Sequence, residues 1–120
     1  MRALIVDDSK AMRMILGKAL KELGFQIAEA GEGGEALGRL NRGEEVDLML
    51  VDWNMPVMNG LELVRAVRAN VMLHNVRIMM VTTETSMSQV RQALAVGANE
   101  YLMKPFTKEV LAEKLALLGI

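Results

Sequence analysis

At 120 residues the chain is long enough for one domain with a sizeable core, and 52% hydrophobic with 24% charged residues excludes a disordered tail. It has no cysteine, which removes disulfide scaffolds, thiolate metal sites and cysteine nucleophiles together. Fourteen basic against fifteen acidic residues give a net charge of -1, too little positive charge for a nucleic-acid backbone to be the partner.

The chain opens on a short apolar run, Ala3 to Val6, that reads as a buried strand and lacks a signal peptide's charged start and long apolar stretch. Met12, Leu16, Ala19, Leu20 and Leu23 then fall on one helical face. Asp8 and Ser9 stand where an N-cap is wanted, and Gly24 is placed to end the helix. Phe25 to Ala30 alternates in part and predicts a second strand, followed by an amphipathic stretch over Gly34 to Leu40. Leu48 to Val51 predicts the third strand and Gly60 to Val67 its helix. Ile78 to Val81 and Met87 to Val96 form the next such pair. Tyr101 to Met103 is a weaker fifth strand, and Thr107 is a suitable N-cap for a helix over Lys108 to Leu118.

Strands alternating with helices call for a parallel sheet with helices on both faces, and 120 residues are too few for an eight-fold barrel. The expectation is an α/β fold, an open, doubly wound, five-stranded parallel sheet occupying residues 1–120 as one domain. No apolar run is long enough to span a bilayer, so no membrane association is expected and the cytoplasm is the default location.

In this architecture ligands bind in the crevice at the carboxyl ends of the strands. The residues there are Asp7 and Asp8 after the first strand, Asp52 after the third, Thr82 and Thr83 after the fourth, and Lys104 and Pro105 after the fifth. Three clustered carboxylates repel one another, and a hard divalent cation such as Mg²⁺ relieves that repulsion. Lys104 and Thr82 then read as a point charge and a hydrogen-bond donor for a phosphoryl group. Helix capping alone accounts for Asp8 and Ser9 but leaves Lys104 unexplained.

Two decoys can be set aside. Gly31-Glu32-Gly33-Gly34-Glu35-Ala36 fits a dinucleotide-binding pattern, but it follows the second strand and carries two acids that would repel a pyrophosphate. His74, the single histidine, lies at the opposite edge of the sheet and is expected on the surface. Of the eleven methionines, Met49, Met79, Met80 and Met103 are expected in the core, and Met58 and Met87 near the surface.

Asp7-Asp8, Asp52-Trp53-Asn54-Met55-Pro56, Gly60, Thr82 and Lys104-Pro105-Phe106 together resemble the receiver domain of two-component response regulators, the single-domain chemotaxis regulators most of all. The resemblance runs through essentially the whole chain. It implies a flavodoxin-like (βα)5 fold with strand order 2-1-3-4-5 and a cis Lys104–Pro105 bond. It makes Asp52 the phosphoacceptor for a histidine kinase's phosphohistidine. It also assigns Mg²⁺ to Asp8, Asp52 and the Asn54 carbonyl, with Asp7 acting through water. Thr82, Lys104 and the backbone near Asn54 and Thr83 would hold the phosphoryl oxygens. Thr82 and Tyr101 would form the switch that alters a target-binding face of the fourth helix, fifth strand and fifth helix, near Val90, Arg91, Lys108 and Lys114.

On this reading the chain is a phosphorylated switch and not a turnover enzyme. It signals either as a stand-alone domain or as a receiver excised from a longer regulator. Two departures from the family stand out. Thr83 is bulkier than the usual Ala or Ser and is expected to narrow the path to Asp52, and Ser86-Met87-Ser88 stands where basic residues are common. The rival from another class is a small Mg²⁺-dependent phosphatase with an aspartate nucleophile. That family requires an Asp-x-Asp, and Asp7-Asp8-Ser9 does not supply it.

Overall fold

The computed structural model describes residues 1–83 and 87–120. Five strands, β1 (Arg2–Val6), β2 (Gln26–Ala30), β3 (Leu48–Asp52), β4 (Arg77–Thr82) and β5 (Glu100–Met103), form one sheet in the order β2-β1-β3-β4-β5, every pair parallel. Between and after them lie α1 (Lys10–Glu22), α2 (Gly33–Asn41), α3 (Gly60–Arg68), α4 (Met87–Ala95) and α5 (Lys108–Leu117).

Side chains alternate across a strand, so each strand feeds two cores. Leu4, Val6, Met49, Val51, Ile78 and Met80 point to one face, where Ala36 and Leu40 of α2, Leu63, Val64 and Val67 of α3, and Ala93 of α4 cover them. Ala3, Ile5, Leu48, Leu50, Met79 and Val81 point to the other, under Leu16 and Leu20 of α1 and Leu111 and Leu115 of α5. The continuous apolar runs in the sequence reflect this two-sided burial.

The helix boundaries have local causes. Ser9 caps α1 by accepting the Met12 N–H at 3.2 Å, and Gly24, at φ 96°, takes the left-handed turn that ends it. Asn59 and Glu62 form a reciprocal capping box at the start of α3, at 2.9 and 3.0 Å. Thr107 caps α5 as expected, accepting the Val110 N–H at 3.1 Å.

The methionines divide differently from expectation at two positions. Met49, Met79 and Met80 are fully buried, but Met103 is only half-buried at the edge of the sheet. Met58 is half-buried as well, because its side chain fills the space beside Gly33 that a Cβ there would occupy.

Candidate functional site

Because all five strands run parallel, their carboxyl ends share one edge of the sheet. β1 delivers Asp7, whose N–H still donates to the Ala30 carbonyl of β2 at 3.1 Å. The Asp7 side chain is buried, and both of its oxygens are engaged. Oδ1 accepts the Ser9 N–H at 2.8 Å, and Oδ2 lies 3.4 Å from Lys104 Nζ. Asp8, next in the chain, is exposed.

Asp52 is the last residue of β3 and only 6% exposed, and its Oδ1 stands 3.1 Å from Lys104 Nζ. Carboxylate oxygens of Asp7, Asp8 and Asp52 lie within 4.8 Å of one another. Lys104 is held over them by its own backbone. Its N–H donates to the Thr82 carbonyl at 2.8 Å, and the Lys104–Pro105 bond that follows is cis, as expected.

Thr82 ends β4, buried, one residue beyond the β3 partner Val81. Tyr101 pairs with Met80, so the period of two puts Thr82 and the Tyr101 ring on the same face of the sheet. Thr83 and Asn54 are exposed beside the site.

The loop from Trp53 to Asn59 is closed by Gly60. The Gly60 N–H donates to the Trp53 carbonyl at 2.9 Å, and a Cβ at Gly60 would lie 2.9 Å from Trp53 Cα. Within this loop Val57, fully exposed, adopts φ 69° in a tight turn marked by a 2.8 Å bond from Met58 N–H to the Pro56 carbonyl. No sequence signal pointed to that conformation, which a β-branched residue rarely takes.

Burial pushes the Asp52 carboxyl above its ordinary value. The neighbouring charges of Asp7 and Asp8 push the same way, and the Lys104 bond and charge oppose them without cancelling. One ammonium faces three carboxylates, which leaves an excess of negative charge among hard oxygen donors. That donor set fits a hard divalent cation.

Sequence reasoning missed Arg13. Its Nη1 donates to the Asp7 carbonyl at 2.6 Å and its Nε to Glu29 Oε1 at 3.0 Å, but a basic residue one turn into an exposed helix gives no distinctive signal.

The decoys behave as expected. The Gly31 N–H is already taken by Glu35 Oε1 at 2.9 Å, and His74 is exposed with Nδ1 2.8 Å from the Val71 carbonyl. On the expected partner face, Arg91 is exposed, and Lys114 Nζ lies 4.4 Å above the Tyr101 ring. Val90 is buried and offers little to such a surface, and Lys108 is exposed but turns toward α1 to meet Glu22 at 2.9 Å. Met87 and Ser88 are exposed, and Ser86 lies outside the described residues. Among the described residues, no helix is long and apolar enough to cross a membrane.

Residues 3–116 match the response regulator receiver domain family. A chemotaxis protein CheY homolog of Campylobacter jejuni is 48% identical over 116 residues, covering 96% of this chain and 89% of its own length. Chemotaxis protein CheY1 of Helicobacter pylori strain J99 is 45% identical over the same share of this chain and 94% of its own. The solved structure of the chemotaxis response regulator CheY4 of Vibrio cholerae superposes with a TM-score of 0.88 at 38% identity, over 96% of this chain and 95% of that one.

Proposed function

The chain belongs to the response regulator receiver domain family, and on that premise we propose that residues 1–120 act as the phosphoacceptor switch of a chemotaxis-like two-component pathway, with Asp52 as the acceptor. One observation carries this reading. Asp52 is a buried member of the acid cluster, bonded to Lys104 through Oδ1 alone among the described residues, whereas both oxygens of Asp7 are engaged.

An Asp52 oxygen attacks the phosphorus of a kinase phosphohistidine. The P–O bond forms as the P–N bond breaks, and the electron pair of the latter returns to the imidazole. Lys104 meets the phosphoryl oxygens with its ammonium, 3.1 Å from the carboxylate that receives them. The Thr82 hydroxyl and backbone N–H groups near Asn54 and Thr83 complete the cradle. Asp8, Asp52 and the Asn54 carbonyl would hold Mg²⁺, with Asp7 acting through water. When bound, the ion supplies charge neutralisation for the acid cluster and the incoming phosphoryl group. Hydrolysis of the acyl phosphate resets the switch, so the chain is consumed and regenerated and does not turn over an external substrate.

The output runs from Thr82 to Tyr101. A phosphoryl group draws the threonine hydroxyl inward, the tyrosine ring moves into the vacated space, and the surface of α4, β5 and α5 changes for a protein target. A location in the cytoplasm, where a kinase donor would meet the chain, goes with this reading.

Incubation with acetyl phosphate and Mg²⁺, followed by intact mass measurement, tests the proposal. One added phosphoryl group per wild-type chain and none in Asp52→Asn is the expected result. Acid-stable label on Asp52→Asn, or sustained turnover of a phosphomonoester, overturns it.

A further inference from the structure

We infer that Arg13 is a positioning residue for the Asp8 carboxylate, acting through the Asp7 carbonyl. The inference rests on the reading of Asp7, Asp8 and Asp52 as the cation site. Side chains on a helix lean toward its N-terminus, so Arg13, one turn into α1, reaches back over the loop that precedes the helix. There Nη1 donates to the Asp7 carbonyl at 2.6 Å, while Nε is locked by Glu29 Oε1 at 3.0 Å on β2. The Arg13 side chain is only 18% exposed, and the planar guanidinium makes both bonds at once.

The Asp7 N–H is fixed to β2 on one side and its carbonyl to Arg13 on the other. The peptide plane joining Asp7 to Asp8 is therefore set before any ligand arrives. Asp8 needs that help. Its carboxylate is exposed and has no hydrogen bond or ion pair among the described residues. Its direction comes from the peptide before it and the capping Ser9 after it.

A purely electrostatic or fastening role for Arg13 makes a different prediction. Replacing Arg13 with an uncharged residue strips a positive charge and leaves Glu29 without its ion pair, and on charge alone that favours cation binding. Positioning predicts the opposite sign. Partners that orient ligands from the second layer change metal affinity by about tenfold or more.

The test is Mg²⁺ titration of the wild type, Arg13→Met and Arg13→Lys, followed by Trp53 fluorescence and by calorimetry, with far-UV circular dichroism to establish folding. Binding about tenfold weaker in both variants is the expected result. Arg13→Lys retains the charge and loses the fork, so it decides the matter alone if Arg13→Met does not fold. Affinity that is unchanged or tighter in a folded variant overturns the inference and leaves the cation site standing. A wild type silent by both methods overturns the site and the inference together.

Discussion

The Asp52 carboxyl combines burial, two like-charged neighbours and one ammonium, and together these set what this group contributes to the response to acid. A raised value in the folded state means that the folded chain keeps a proton the unfolded chain has released. Above the ordinary value of 3.8, stability therefore falls as pH rises through the shifted range, and the penalty persists at neutral pH. Asp52→Asn removes that penalty. In Mg²⁺-free buffer the variant should show a higher urea midpoint than wild type at pH 7, and the gap should close as the pH falls toward 3.8. A lower midpoint at pH 7 would show that the Lys104 attraction outweighs burial. Thr82→Ala should still accept phosphate on Asp52 while uncoupling Tyr101. Tyrosine-ring NMR with a beryllofluoride mimic should give a smaller shift in the variant, and equal shifts would remove Thr82 from the signal path. At this scale the acids and Lys104 were legible because Asp7, Asp52 and Lys104 each directly follow an apolar run and Asp8 follows Asp7. Arg13 was not legible, because its role depends on a carbonyl, and no sequence marks where a carbonyl points.

The element that matters most to the site is the loop from the end of β3 to the start of α3, pinned at Gly60. A Cβ at Gly60 would meet the backbone of Trp53 and the Met80 side chain at 2.9 Å, and the backbone cannot yield as a flexible side chain can. Gly60→Ala should cost about 1–3 kcal/mol by overpacking and should slow labelling of the adjoining Asp52. Gly24→Ala is the contrast. Nothing lies within 4 Å of a Cβ there, so only left-handed strain of about 1 kcal/mol applies and labelling should be untouched. Urea melts and labelling rates on both variants separate the two effects. The strands were readable as apolar runs, and each α-helix among the described residues was found with its ends within a residue or two. Two local features were not readable. The short 3-10 helix at Val71–Leu73 is a single turn, too short for a hydrophobic repeat to show, and the turn at Val57 uses a residue whose branching argues against it.

Across the whole molecule, Arg68 joins parts that the sheet does not. Its guanidinium donates to the carbonyls of Gly97, Leu73 and Val76 and to Asn99 Oδ1, at 2.9, 3.2, 2.7 and 2.9 Å, which ties α3 to the segments entering β4 and β5. Arg68→Met strands these acceptors and should lower stability by about 1–3 kcal/mol, read as a shifted urea midpoint with an unchanged slope. A midpoint within experimental error of wild type would mean that water replaces the guanidinium freely. The topology itself was legible in its alternation, but the strand order came with the family resemblance, since periodicity does not say which strands are neighbours. The Lys104–Asp7 contact spans 97 positions, from the first strand to the loop after the last. A ribosome releases the chain from its amino end, so the three aspartates emerge before Lys104 and wait, uncompensated, for its amine. The acid cluster is thus neutralised only once β5 and the loop after it have been made, and a product cut short before them carries the three carboxylates without their ammonium however much of the sheet it has built.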